Sequence, residues 1–234
     1  MLLADAEQIL HAAGHMQGRA RELQGQVTGQ LVLGTLADPE MLRLGSTLSS
    51  LAEQFPLLEI KTRNGPAEEL LEMVISGLLP ASYYIGIHLP RDLGGLTLRT
   101  LHYRIVGAAR ERDALLAASW HELADRAWIG ASPRHHVQVL LHALFARQGL
   151  APRHIIESDE SSLSLSLARS GAGLALVREE LATLGSEAGD VVIWPHARVA
   201  AHLCFVHSRA AEHEPAVVAA LSAVRKVWNL GPAR

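Results

Sequence analysis

Four short polar runs hold most of the side chains through which this sequence can do chemistry. They are Thr35-Leu36-Ala37-Asp38, Asn64-Gly65, Ser132-Pro133-Arg134-His135 and Ser158-Asp159-Glu160-Ser161. Each stands at the end of a predicted strand, and the first, third and fourth lead into a stretch of helical periodicity. At a helix start the first N–H groups lack intrahelical partners and the dipole presents its positive end. Ser, Thr and Asp there either cap the helix or help to hold a small anion such as a carboxylate. Arg134 and His135 would balance an anionic ligand; Arg134 reads equally well as an exposed first-turn residue.

Other chemistry finds less support. Cys204 lies between Leu203 and Phe205, as a buried structural thiol would. A single cysteine excludes an internal disulfide and fits a reducing compartment. Glu7, His11 and His15 share one face of the first helix, but a single exposed face offers no closed coordination shell. No Gly-x-Ser-x-Gly or phosphate-loop motif occurs. The expectation is therefore no catalytic residue, no metal and no cofactor. A net charge of −3 lacks the basic footprint of direct nucleic-acid binding. The first residues carry acidic groups and no basic n-region, and no apolar run is long enough to span a membrane, so a cytoplasmic location is expected.

The elements that must position these runs follow from periodicity. Residues 1–25 read as a helix with Leu2, Ile9, Met16 and Leu23 seven apart and Ala6, Ala13 and Ala20 between them. That is the a/d seam of a coiled coil joining two chains, or else the buried side of an amphipathic helix. Leu31 to Gly34 is a strand, Asp38 and Pro39 cap and open a helix to Phe55, and Leu58, Ile60 and Thr62 alternate as a strand. The apolar side of that helix is read as Met41, Leu44, Leu48, Leu51 and Phe55. Residues 68–76 are helical and residues 83–88 form a strand, an order that implies a parallel sheet with right-handed crossovers. A strand over residues 99–108 opens a second round: a short helix over 121–125, a strand over 128–130, a helix over 134–147 and a strand over 154–157. A helix with Leu163, Leu165 and Leu167 on its apolar side follows, then Gly171 and Gly173 and a buried strand from Leu174 to Val177. Strands over 191–194 and 200–207 and a helix over 214–230 close the chain. Two α/β rounds suggest two lobes with a cleft between.

In this order and spacing the sequence resembles the effector-binding region of LysR-type transcriptional regulators. The marks are Gly29-Gln30-Leu31-Val32-Leu33-Gly34 after a helix, Phe55-Pro56-Leu57-Leu58-Glu59-Ile60, Gly65 followed by Glu68-Glu69-Leu70, and Ser170-Gly171-Ala172-Gly173-Leu174-Ala175-Leu176-Val177. The resemblance runs from about Ala4 to Trp228. It implies two Rossmann-like lobes with a central cleft, like type 2 periplasmic binding proteins, preceded by a linker helix. Lobe I would be 26–102 plus 201–234, and lobe II 103–200. The family's N-terminal winged helix-turn-helix is missing, so the chain is expected to begin within the linker. Where the family often carries Gly-x-Leu-Asp, this chain has Gly77-Leu78-Leu79-Pro80-Ala81-Ser82, and its hinge loop reads Arg112-Asp113-Ala114-Leu115.

Carried onto these positions, effector contacts fall at Thr35, Leu36 and Ala37, at Asn64 and Gly65, at Ser132, Pro133 and Arg134, and at Ser158, Asp159 and Ser161. The implied partners are a small, anionic effector and further copies of the chain in a homodimer or homotetramer. DNA would be bound only through the missing domain. The alternative is the solute-binding protein of a transporter, which shares the fold.

Overall fold

The computed structural model describes residues 27–231. The helix expected over 1–25 lies outside the described residues, with its seam Leu2, Ala6, Ile9, Ala13, Met16, Ala20 and Leu23 and with Glu7, His11 and His15. In chain order the elements are β1 (Gly29–Thr35), α1 (Leu44–Gln54), β2 (Leu58–Asn64), α2 (Ala67–Ile75), β3 (Ala81–Gly86) and β4 (Leu93–Ala108). Next come α3 (Arg112–Leu116), α4 (Trp120–Asp125), β5 (Ala127–Gly130), α5 (His136–Ala146), β6 (Arg153–Glu157) and α6 (Ser161–Ser170). The chain closes with β7 (Leu174–Arg178), α7 (Glu179–Glu187), β8 (Val191–Ile193), β9 (Val199–Ser208) and α8 (Pro215–Val227). They fall into two compact units: 27–84, 89–98 and 204–231 in one, 85–88 and 99–203 in the other.

In the first unit the strand order is β2-β1-β3-β9. β1 pairs with β2 in parallel from Gly29↔Leu58 to Thr35↔Asn64, and with β3 in parallel at Leu33↔Ala81 and Gly34↔Ser82. Gly34 is required there, since a Cβ would strike the buried Ser82 side chain. Leu31, Leu33, Leu51, Leu70, Val74, Val217 and Val224 form the core, with Phe205 set edge-on to Tyr83. The buried side of α1 is Thr47, Ser50 and Leu51, whereas Leu44 and Leu48 are only half-buried. Thr47 is satisfied inside by the Tyr83 hydroxyl at 3.1 Å and the Arg43 carbonyl at 3.1 Å, so a polar residue faces inward without penalty.

The helix expected to open at Asp38 instead opens at Leu44. Asp38 caps an isolated turn, its Oδ1 accepting the Met41 N–H at 2.9 Å, and Arg43 then enters the left-handed region at φ 49°. That conformation costs a non-glycine residue about 1–2 kcal/mol. It aims the guanidinium at the end of α8, 4.5 Å from the centre of the Trp228 ring, with Nη1 donating to the Val227 carbonyl at 3.0 Å. A cation over an indole and at a helix C-terminus offsets the strain.

In the second unit the order is β4-β7-β5-β6, with β8 also on β4. β7, β5 and β6 run parallel, while β4 is antiparallel to β7 and β8. Four aromatic side chains lock this unit: Trp120 stands edge-on to Trp194 and Phe145, and Phe145 edge-on to Trp128. The two buried indoles donate to the Leu123 and Ala118 carbonyls. Gly173 is where β7 passes β5, and a Cβ there would lie 2.8 Å from the Ala127 carbonyl oxygen. Several expectations change here. β4 starts at Leu93, well before residue 99, and α3 and α7 stand where no helix was expected. α6 turns Ser164 and Ala168 inward and leaves Leu163 about half exposed.

The start of α5 is pinned to β4 by the buried Tyr103, whose hydroxyl lies 2.9 Å from His136 Nε2. The residue His136 keeps some surface, but its Nδ1 is closed to solvent. Burial, then the charges of His135 and Arg178, holds its pKa well below the ordinary 6.5. The unfolded chain therefore binds a proton that the folded chain refuses.

Two predictions follow from these contacts. Arg43→Ala keeps the strained backbone and deletes both contacts, so it should lower stability by about 1–2 kcal/mol; Arg43→Gly relieves the backbone and should lower it less. Equal urea midpoints for the two variants would refute the strain argument. His136 should make stability constant above pH 6.5 and lower it by up to about 1.4 kcal/mol per pH unit as the pH falls below that value. His136→Gln should flatten that slope in pH-dependent urea melts, and an unchanged slope would count against the buried imidazole.

Candidate functional site

The predicted turns of the first unit are brought together by strand pairing. β1 and β2 end in register at Thr35↔Asn64, and the Gly65 N–H donates to the Thr35 carbonyl at 3.2 Å. Thr35 and Leu36 are buried, whereas Ala37 and Asn64 are exposed. Gly65 needs no special backbone, because a Cβ would meet only Leu70 at ordinary contact distance. Glu68 and Glu69 sit in the first turn of α2, whose N-cap is Pro66, and they place negative charge at the dipole's positive end.

The second unit repeats the device. β5 and β6 end at Gly130↔Glu157, and the Ser158 N–H donates to the Gly130 carbonyl at 2.9 Å. This sets the Ser132 turn beside the Ser158 turn. The Ser132 N–H donates to Asp159 Oδ1 at 2.7 Å, across a gap of 27 positions in sequence. Ser132 and Ser158 are half-buried, while Pro133, Arg134 and Asp159 are exposed. Ser161 opens α6 and is half-buried.

Around these turns the backbone donors are largely taken by the chain's own side chains. Glu160 is the N-cap of α6 and accepts the N–H groups of Ser162 at 3.1 Å and Leu163 at 2.8 Å. The Ser162 hydroxyl and those amides hold the Glu160 carboxyl below its ordinary range. At α5 the Val137 N–H meets His135 Nδ1 at 3.4 Å, the His135 N–H meets the Ser132 carbonyl at 2.9 Å, and the Ala131 N–H meets Gln138 Oε1 at 3.0 Å. Gln138 also reaches His142 Nε2 at 2.8 Å. Sequence reasoning missed Gln138 and placed Glu160 in a polar run without reading it as the N-cap, because a buried glutamine on an apolar helix face and a glutamate as N-cap both break the usual preferences.

Among the described residues no group of His, Cys, Asp and Glu is placed to hold a metal. Also among them, no helix is long and apolar enough to cross a membrane. Cys204 is fully buried and its thiol pKa is raised by that burial, which removes the thiolate a nucleophile needs.

A family model, the LysR substrate binding domain, matches residues 24–229. Similar solved structures include the apo regulatory domain of HypT from Salmonella typhimurium, at TM-score 0.63 and 11% identity over 86% of this chain and 95% of that one. Another is the effector binding domain of QuiR in complex with shikimate, at TM-score 0.62 and 14% identity over 85% of this chain and 98% of that one. Full-length CbnR complexed with its target DNA matches at TM-score 0.60 and 18% identity over 97% of this chain and 80% of that one. None of the curated proteins matches. The mixed α/β architecture is that of the type 2 periplasmic-binding-protein-like fold, in a family of transcription regulators and not of enzymes. The chain belongs to the LysR substrate binding domain family, the effector-binding regulatory domain of LysR-type regulators.

Proposed function

We propose that this chain senses a small anionic effector through the strand-end turns of two lobes, 26–102 plus 201–234 and 103–200. Thr35, Leu36, Ala37, Asn64 and Gly65 would contact it from the first lobe, and Ser132, Pro133, Arg134, Ser158, Asp159 and Ser161 from the second. The observation that carries this reading is the strand-end pairing within each unit, seen at Gly65 N–H to Thr35 and at Ser132 N–H to Asp159, in a chain of a substrate-binding family. The structure of the QuiR effector binding domain in complex with shikimate supports this reading.

In this reading the effector favours one arrangement of lobes and subunits, which a ligand achieves only through unequal affinity for the two states. The seam over Leu2, Ala6, Ile9, Ala13, Met16, Ala20 and Leu23 joins two chains, and the parent regulator is a cytoplasmic homodimer or homotetramer. DNA is bound by an N-terminal helix-turn-helix of that longer protein.

Thermal unfolding against small carboxylates, amino acids and aromatic acids tests the site. A ligand at one hundred times its dissociation constant should add about 2.7 kcal/mol. Ser132→Ala and Asn64→Ala should each abolish the shift; a shift that survives both places the ligand elsewhere. Light scattering at micromolar concentration should find a dimer or larger, and a compact monomer would refute the seam.

A further inference from the structure

We infer that Arg178, at the end of β7, holds the anionic group of the effector with Arg99 of β4 beside it, so that charge recognition in the second unit lies one strand away from the turns. The inference rests on the proposed effector reading and deepens it with residues that the turns do not contain. β7 lies between β5 and β4 and runs parallel to β5, with Trp128↔Leu174 and Ile129↔Ala175 in register. Counted on from there, Arg178 is level with Ser132. On its other side β7 is antiparallel to β4 and sets Arg178 directly opposite Tyr103, so the two side chains share a face of the sheet. Arg99, four positions before Tyr103 on β4, shares it too. The start of α5 packs on that face, since the Tyr103 hydroxyl is 2.9 Å from His136 Nε2.

The charges acting on the Tyr103 hydroxyl are Arg178, Glu180 and Arg99, two positive against one negative. Glu180 lies 3.3 Å from Arg99 Nη2 and half of its side chain is in water. The neighbouring acid, Glu179, is engaged by Arg198 and Arg104. The Tyr103–His136 pair does not offset the surplus. Burial keeps the phenol protonated by raising its pKa, and burial, with His135 and Arg178, keeps the imidazole from taking a proton. Arg99 Nε is closed to solvent and has no hydrogen-bond partner, so this guanidinium has left water without full compensation, which native folds rarely tolerate. A carboxylate lying across Arg99 and Arg178 supplies the compensating charge, and a guanidinium can meet it with two parallel N–H groups. The turn itself is a poorer source of positive charge. Arg134 is exposed, so water and salt screen it, and His135 Nδ1 accepts the Val137 N–H. The acids Glu157, Asp159 and Glu160 lie at the end of β6, beyond β5 from Arg178, so the anionic end of the effector points away from them.

The test uses the full chain and matched pairs of probes: acetate, propanoate and benzoate, each against the amide of the same skeleton. Affinities are read by calorimetry on the wild type and on Arg178→Gln, Arg178→Lys, Arg99→Gln and Arg134→Gln. In the best-bound pair the acid should exceed the amide by about tenfold or more in the wild type. Arg178→Gln should remove that preference by weakening the acid alone. Arg178→Lys, which keeps the charge and loses the fork, should weaken it less. Arg134→Gln should leave the ratio unchanged. Structural damage from Arg178→Gln would instead weaken acid and amide alike. Arg99→Gln then decides: a reduced ratio supports the inference, and an unchanged one overturns it. A ratio that survives Arg178→Gln, or that Arg134→Gln lowers as much, overturns the inference and leaves the anionic-effector reading standing. If no acid binds the wild type, or none binds more tightly than its amide, the anionic-effector reading fails and this inference falls with it.

Discussion

In a parallel strand pair both chains leave the sheet at the same edge, so the turns that follow are neighbours whatever their distance in sequence. That constraint governs both units. Thr35 stands beside Asn64 because β1 and β2 stay in register over their full length, and Ser132 stands beside Ser158 because β5 and β6 end together. The close approaches that keep the strands in place fall on residues without side chains. Gly34 passes Ser82, and Gly173 passes the Ala127 carbonyl. A methyl group at either point would move a strand, and with it the turn at the strand's end.

Much of this was legible because β1, β5 and β7 are largely buried on both faces and read as short apolar runs. β1, β5 and β7 lie where Leu31 to Gly34, Trp128 to Gly130 and Leu174 to Val177 predict them. Gly171 does end α6 in the left-handed region, as a glycine after a helix should. Cys204 is buried between Leu203 and Phe205. What periodicity misread were faces and starts. Thr47 and Ser164 look like solvent positions, but each turns inward and finds hydrogen-bond partners, Thr47 on Tyr83 and Ser164 on the Glu160 carbonyl. The first part of β4 was hidden by Gly94 and Gly95, which weaken a strand pattern. Their lack of side chains is what lets His207 and the Phe205 carbonyl lie against them.

The unexpected helix α7 shows how tertiary charge replaces local signal. It buries little beyond Ala182 and Gly185, and few of its residues are apolar. It is held by its first residue. Glu179 takes a forked pair of bonds from Arg198 at 2.9 and 2.7 Å and a third from Arg104 at 3.0 Å. Arg198 and then Arg104 bring its pKa down to about 2. The stabilisation is thus complete above pH 4.5 and is lost only as the pH falls toward 2, well apart from the window in which His136 acts. Neither arginine is near Glu179 in sequence, so no window of residues around the helix contains the reason it forms.

The same logic explains why the site's chemistry was the least legible part. From sequence, a serine or aspartate before a helix leaves open whether the amides behind it are free. Here they are satisfied internally, by Asp159, Glu160 and His135. Exchanging one hydrogen-bond partner for another yields little net free energy, since an average bond is worth about 1 kcal/mol after the exchange with water is counted. A ligand that competes for these amides therefore gains almost nothing from them. Its discrimination has to come from the side chains that hold them, two carboxylates and an imidazole. The same bonds that give α6 a stable start thus leave its first amides occupied by a carboxylate of the chain itself.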